Sequence, residues 1–325
     1  MASGSEDVAT AVQVLREGGL VALPTETVYG LAADATNELA VRRIFAAKGR
    51  PQTHPLIVHI PGKEALPRFA SVVPERARLL AEAFWPGPLT LVLKKSAIVS
   101  DAVTGGQDTV ALRVPAHPLA QAVLRELGGG LAAPSANKFG HVSPTTAQHV
   151  REDLGDEVDF VLDGGRCDVG VESTIVDVSG ERPSLLRPGG LPVEEIERVL
   201  GESLGAPTPQ IRAPGLLPSH YAPRAGLVLV ERSADVLSEA ALRLSSSEGQ
   251  RVAVLAPGTM QVELPPGARA FLLPEDPAGY ARELYATLRE IDAAGFTVIV
   301  AAPPEGAGLG VAVRDRLRRA AAPRG

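Results

Sequence analysis

The stretch Leu20-Val21-Ala22-Leu23-Pro24-Thr25-Glu26-Thr27-Val28-Tyr29-Gly30-Leu31 decides the reading of this chain. Its first four residues form an apolar run with the length of a buried strand. Pro24 ends that strand, because proline has no N–H to give to a sheet ladder. Three short polar side chains follow, Thr25, Glu26 and Thr27, before the chain turns apolar again. Polar groups crowded at a strand end are where an α/β protein commonly carries its chemistry, although a plain loop has the same composition.

The same design recurs further along. Leu131-Ala132-Ala133-Pro134-Ser135-Ala136-Asn137 is again an apolar run, a proline and small polar side chains. Glu172-Ser173-Thr174-Ile175-Val176-Asp177 is a strand with Ser and Thr at its mouth. Cations sit at element ends: Lys48-Gly49-Arg50-Pro51, Arg113 before Val114-Pro115, and Arg187 before Pro188-Gly189. Lys48 and Arg50 read either as helix C-terminal charge complementation with a glycine cap or as a phosphate clamp. His59, inside Leu56-Ile57-Val58-His59-Ile60, reads either as a structural strand residue or as part of a site. An arginine within an apolar strand, as Arg113 is, is costly to bury unless an anion meets it. Ser143-Pro144-Thr145-Thr146 has the form of a helix start whose free amides suit an anion. Together these transitions describe a concave site for a nucleotide-sized anion.

Around these corners the pattern is that of an α/β protein. Helices are expected over Asp7–Glu17, Asn37–Lys48, Pro74–Phe84 and Leu119–Leu127, and strands over Leu89–Lys94, Thr109–Val114, Phe160–Leu162 and Leu185–Arg187. Gly201–Pro218, rich in Pro, Gly and Ala, reads as a linker that runs into the aromatic knot His220-Tyr221-Ala222-Pro223. Beyond it strands and helices alternate: Leu227–Glu231, Ser233–Ser245, Arg251–Pro257, Ala270–Leu273, Pro277–Ala293, Phe296–Ala301 and Val311–Ala321. That alternation predicts a small doubly wound parallel sheet. Three segments result: 1–204, a linker over 205–225, and 226–325 as a Rossmann-like C-terminal domain. Gly306-Ala307-Gly308-Leu309-Gly310 is not a dinucleotide fingerprint, since its last glycine is misplaced and no acidic residue follows at the required distance.

Composition bounds the class. The chain has 325 residues, of which 45% are hydrophobic, 22% charged and only 4% aromatic, so its cores are built from Ala, Val and Leu. Its 33 glycines and 28 prolines, interleaved with apolar runs, imply many turns rather than disorder. A net charge of −6 argues against a broad grip on nucleic acid, and direct tRNA binding is expected to be weak or absent. One cysteine, Cys167, excludes a disulfide framework and fits a reducing compartment. With neither a signal peptide nor a membrane-length apolar run, the expectation is a cytoplasmic protein without a membrane partner.

These motifs, in this order, are similar to those of the YrdC-like family, in particular its long two-domain threonylcarbamoyl-AMP synthases. The residues carrying the resemblance are Pro24–Leu31, Lys48-Gly49-Arg50-Pro51, Pro55-Leu56-Ile57-Val58-His59, Trp85-Pro86-Gly87-Pro88-Leu89-Thr90, Arg113-Val114-Pro115, Pro134-Ser135-Ala136-Asn137, Ser173–Asp177 and Arg187-Pro188-Gly189. The His220–Pro223 knot matches the long subtype.

The resemblance implies an open, twisted mixed sheet around a basic cavity. It also implies synthesis of L-threonylcarbamoyl-AMP from L-threonine, bicarbonate and ATP, with release of pyrophosphate. A separate tRNA-modifying transferase complex would receive the product. Lys48, Arg50, Ser135 and Asn137 are the implied catalytic residues; His54, Thr109, Ser143, Arg187 and Tyr221 would join them on ATP. Thr27, His59, Arg113, Ala133 and Ser173 would hold L-threonine. Mg2+ would ride on the ATP phosphates, with no protein metal site. Tyr221, with His220, would close over the nucleotide. The chain departs from the family pattern at His54, where asparagine is common, and at Gly215–Ser219, which lacks basic residues. Two rival readings stand beside this one: a carbamoyl-adenylate-dependent carbamoyltransferase, and a double-stranded RNA-binding module.

Overall fold

The computed structural model describes residues 2–207, 211–217, 219–232, 235–246, 250–258, 264 and 266–323. They divide into two compact units. The first runs through Phe139 and adds Ser143–Asp168 and Glu172–Leu216; the second comprises Gly140–Val142, Val169–Val171 and the chain from Leu217 onward.

In the first unit the chain forms α1 (Ala2–Arg16), β1 (Val21–Leu23), β2 (Gly30–Asp34), α2 (Glu38–Lys48), β3 (Ile57–His59), α3 (Leu66–Phe69), α4 (Glu75–Phe84) and β4 (Leu89–Lys94). It continues through α5 (Asp101–Thr104), β5 (Thr109–Arg113), α6 (Pro118–Leu127), β6 (Leu131–Ala132), α7 (Ala147–Leu154), β7 (Phe160–Val161), β8 (Thr174–Asp177), β9 (Ser184–Arg187) and α8 (Val193–Leu200). Among the described residues the strands form one mixed sheet in the order β7-β1-β2-β6-β3-β5-β4-β8-β9. β3 is parallel to β5, β4 to β8 and β1 to β7, and the other neighbours are antiparallel.

Period-two alternation gives the central strands two different faces. Val58, Leu91, Leu93, Leu112 and Val176 point into the main core, beneath Ile44 and Phe45 of α2 and Leu80 of α4. On the other face lie Ile57, Val92, Ala111, Ile175 and Leu186, packed against Ile211, Ala213 and Leu216. The stretch expected as a linker is therefore more than a spacer, since residues 211–216 lie on the sheet as part of the first unit. Gln107 holds that segment edge-on, donating from Nε2 to the Arg212 carbonyl (3.0 Å) and accepting from the Arg212 N–H (2.7 Å). Residues 208–210 and Pro218 of the same stretch lie outside the described residues.

β2, α3, α5 and α8 were not expected from the sequence. β2 pairs antiparallel with β1, so the Pro24–Tyr29 corner is the turn of a strand pair rather than a strand-to-helix connection. α8 closes the unit, burying Ile196 in the main core.

The second unit contains β10 (Gly226–Leu229), α9 (Val236–Ser246), β11 (Val252–Pro257), β12 (Ala268–Leu273), α10 (Pro277–Ala293), β13 (Val298–Ala301) and α11 (Leu309–Ala321). Its strands are all parallel, in the order β10-β13-β11-β12. Val236 and Ala240 of α9 pack with Val252, Val254 and Val300 on one face. The expected start of that helix, Ser233, lies outside the described residues. Gly306–Gly310 leads from β13 into α11, with Gly308 at the helix start at φ 63°.

Tyr221 belongs to this unit. It takes φ 60° and is buried, its ring stacked on Tyr285 (6.1 Å), met edge-on by His220 (4.2 Å) and covered by the Arg316 guanidinium at 4.9 Å. Among the described residues no helix is long and apolar enough to cross a membrane.

Candidate active site

Extending the alternation of the inner face outward from Ile57, Ala111, Val92 and Ile175 reaches His59, Arg113, Thr90 and Ser173. Register places these four at one end of adjoining strands: His59 is opposite Arg113, and Leu91 is opposite Leu112. The face is thus apolar in the middle and polar at this edge, and all four side chains are buried.

Arg113 is held from two sides. Its Nε donates to the Gly87 carbonyl (3.2 Å) and its Nη2 to Glu26 Oε1 (2.7 Å). The other carboxylate oxygen of Glu26 accepts from the Ala116 N–H (3.0 Å). A buried guanidinium and a buried carboxylate are tolerated only as such a pair, because either alone carries an uncompensated desolvation cost.

Next to them, burial and then the Arg113 charge push the His59 pKa well below the usual histidine range. His59 is consequently a neutral imidazole at physiological pH, able to donate or accept a hydrogen bond without adding a charge. Cys167 lies near the same corner, its thiol pushed up to about 12 by burial, so it stays protonated and is not a nucleophile.

Ser173 ties this edge together. Its hydroxyl shares a 2.7 Å hydrogen bond with Thr90 Oγ1, and Arg187 donates from Nη2 to its carbonyl (2.8 Å) and hydroxyl (3.3 Å). Arg187 Nη1 also donates to the Pro214 carbonyl of the segment lying on the sheet (2.9 Å). Ser143 donates to Glu172 Oε1 (2.6 Å), next to Ser173 in the chain. Gly189 is required here, because a Cβ on it would stand 2.3 Å from the Ser173 carbonyl carbon. In the corner itself, Thr25 accepts from the Thr27 and Val28 N–H groups (both 3.2 Å) and shares a 2.8 Å hydroxyl contact with Thr27.

A second group surrounds the turn after β6. Ala133 donates its N–H to the Ile57 carbonyl (2.9 Å), two residues from His59, and Ser135 bridges to Gly30. Lys48, at the end of α2, sends its buried Nζ to the Ser135 carbonyl (2.5 Å) and the Asn137 carbonyl, pinning this turn. Burial, and then the Arg50 charge, push its pKa well down. Gly49 caps α2 in the left-handed region at φ 62° and lets the chain reverse so that Arg50 donates to the Pro55 carbonyl (3.0 Å). Phe139 receives the Arg50 guanidinium at 5.4 Å and the His54 ring edge-on at 5.4 Å. Burial, followed by Arg50 and Arg212, lowers the His54 pKa. Thr109 begins β5, four residues from Arg113 and thus about 13 Å along the strand.

The expected site residues of the first unit therefore fall into two groups. Thr27, His59, Arg113 and Ser173 lie around the polar edge, Ala133 leads from His59 toward Ser135, and Lys48, Arg50, His54, Ser135 and Asn137 gather around the β6 turn. Arg187, expected with the nucleotide residues, hydrogen-bonds Ser173, and Ser143, expected with them too, hydrogen-bonds Glu172. Of the helix-start amides expected as an anion site, His149 N–H meets Thr146 Oγ1 (3.3 Å), and just before the helix Thr145 N–H meets His149 Nδ1 (3.3 Å). Glu26 and Thr90 were missed as site residues. Their partners are 87 and 83 residues away, so only the sheet topology brings them together.

The chain is similar to known proteins in both sequence and fold. Residues 13–189 match the Sua5/YciO/YrdC family model, described as "Telomere recombination". Residues 191–322 match the model described as "Threonylcarbamoyl-AMP synthase, C-terminal domain". A threonylcarbamoyl-AMP synthase of Pyrococcus abyssi is 46% identical over 95% of this chain and 92% of its own length. Another, from Bacillus subtilis, is 40% identical over 99% of this chain and 94% of its own length. The crystal structure of P. abyssi Sua5 complexed with L-threonine superposes with a TM-score of 0.89 at 45% identity, covering 97% of this chain and 94% of that one. The chain belongs to the threonylcarbamoyl-AMP synthase family.

Proposed function

We propose that the inner face of the first unit's sheet binds L-threonine at its polar edge and ATP along the face toward the β6 turn, and joins them through bicarbonate into L-threonylcarbamoyl-AMP. The observation that carries this is the buried edge of Arg113, neutral His59 and the Thr90–Ser173 hydroxyl pair. It offers one guanidinium for a carboxylate and uncharged groups for the rest of a small amino acid. The P. abyssi relative, which binds L-threonine, has the same fold over nearly its whole length.

The reaction needs positioning more than acid–base machinery. Threonine amine and bicarbonate give N-carboxythreonine and water. Its new carboxylate oxygen attacks the α-phosphorus, the bond to the β-phosphate breaks, and pyrophosphate leaves. Charge accumulates on phosphate oxygens, and the roles assigned to Lys48 and Arg50 are to hold the triphosphate there. Ser135 and Asn137 donate hydrogen bonds to it, while His54 and Thr109 line the nucleoside side. Arg187, which hydrogen-bonds Ser173, and Ser143, which hydrogen-bonds its neighbour Glu172, are assigned to the junction between amino acid and α-phosphate.

Among the described residues no group of three His, Cys, Asp or Glu is arranged to hold a metal. Magnesium arrives in this reading with the nucleotide oxygens, which suit it as ligands. The adenylate, a labile mixed anhydride, passes to a tRNA-modifying transferase.

Incubation with radiolabelled bicarbonate, ATP and L-threonine is expected to give a labelled adenylate and pyrophosphate in equal amounts. Release of pyrophosphate that depends on carbamoyl phosphate and not on L-threonine would transfer the assignment to a carbamoyltransferase.

A further inference from the structure

We propose that Glu26 is the positioning residue of the amino-acid site: its carboxylate fixes the Arg113 guanidinium so that only the terminal edge is presented to the threonine carboxylate. This rests on the reading above in which Arg113 meets that carboxylate.

A guanidinium has a lateral edge, formed by Nε–H and one Nη2–H, and a terminal edge shared by Nη1 and Nη2. Among the described residues Arg113 donates through Nε to the Gly87 carbonyl and through Nη2 to Glu26 Oε1, the two nitrogens that define the lateral edge. The terminal edge is the one left to meet a carboxylate with two parallel hydrogen bonds. Glu26 is in turn immobilised, because its second oxygen accepts from the Ala116 N–H (3.0 Å). Ala116 lies three residues after Arg113, so one carboxylate links the Pro24–Tyr29 corner to β5 and to the turn that follows it.

Each oxygen of Glu26 thus accepts a hydrogen bond from the protein, which fixes the carboxylate from both ends. Its buried negative charge also offsets that of Arg113 and weakens the bare attraction of the guanidinium for a ligand anion. Charge compensation and positioning therefore have opposite signs. Removing the charge tightens threonine binding if compensation dominates, and loosens it if positioning dominates.

Glu26→Gln keeps the volume but places an NH2 against either Arg113 Nη2–H or the Ala116 N–H, so one of the two bonds is lost and the hold on the guanidinium loosens. We expect KM for L-threonine to rise roughly 10- to 100-fold, with KM for ATP and kcat each within about threefold. Calorimetric titration of the full-length variant with L-threonine alone should show the same loss. Should Glu26→Gln not fold, Glu26→Asp, which keeps the charge and shortens the reach, is expected to show the same selective loss. Threonine affinity that is unchanged or tighter in the folded variant overturns the proposal, as does an equal loss of ATP affinity. Arg113→Lys, assayed in parallel, separates the two levels. If it leaves the threonine KM unchanged, the carboxylate assignment itself fails; if it raises that KM while Glu26→Gln does not, only the role of Glu26 fails.

Discussion

Arg113→Met is expected to raise the dissociation constant for L-threonine by on the order of 100- to 1,000-fold, the value of two charge-assisted hydrogen bonds to a carboxylate in a buried site. The same substitution leaves Glu26 buried without its guanidinium, at a cost of about 3–5 kcal/mol in stability. Binding and folding are therefore lost together in the single variant, and they must be separated. The double variant Glu26→Gln/Arg113→Met removes both charges from an edge that is only 4% and 10% exposed at these two side chains. Its melting temperature is expected to recover most of the loss, because a buried pair replaced by neutral groups of similar volume is close to neutral in stability. Threonine binding should remain abolished. Melting curves and calorimetric titrations on the wild type, both single variants and the double variant check the four values. A double variant that is stable and still binds threonine would show that the carboxylate is held elsewhere.

Lys48→Met is expected to lower the rate of pyrophosphate release at saturating substrates by roughly 1,000-fold. Lys48 contacts the turn after β6 through the backbone carbonyls of Ser135 and Asn137, so its loss removes two hydrogen bonds from the segment that presents both side chains. A displacement of about 1 Å at a reacting site costs on the order of 100-fold. The loss of a donor at the turn assigned to the phosphates adds to that. Lys48→Arg is expected to give no rescue, since a planar guanidinium cannot place a compact donor between two carbonyls in a buried space made for an ammonium group. Because Lys48 does not touch the Arg113 edge, L-threonine affinity should stay within about threefold. Activity within tenfold of wild type in Lys48→Met would contradict the assignment of the β6 turn to the phosphates.

The sequence carried most of the sheet and the identities of the polar side chains, but not how they divide. Proline after an apolar run marked Leu23 and Ala133 as places where a strand stops and polar groups begin, and the structure ends β1 at Leu23 and β6 at Ala132. β2 escaped notice because Gly30–Asp34 shows no polar–apolar alternation; the strand is buried along nearly its whole length. α8 escaped although Val193, Ile196 and Leu200 have helical spacing, for its start follows Arg187-Pro188-Gly189 and carries no side-chain cap. The segment 211–216 looked like a spacer because Pro, Ala and Gly resemble a linker whether or not Ile211 and Ala213 find a sheet to cover. Arg113 was read correctly as needing an anion, yet the anion the protein itself supplies, Glu26, lies in a motif read for its threonines. Such partners are fixed by strand order and twist, which no local spacing encodes.

In the proposed site one sheet face holds the amino acid at its Arg113 edge and the nucleotide toward Lys48. A crystal structure of the full chain with L-threonine and a non-hydrolysable ATP analogue reads this directly. We expect the threonine carboxylate on the terminal edge of Arg113, beside His59 and Ser173, with its amino group facing the α-phosphate and the triphosphate running toward Lys48, Arg50 and Ser135. Threonine bound away from Arg113, or a triphosphate on the outer, helix-covered face of the sheet, would contradict it.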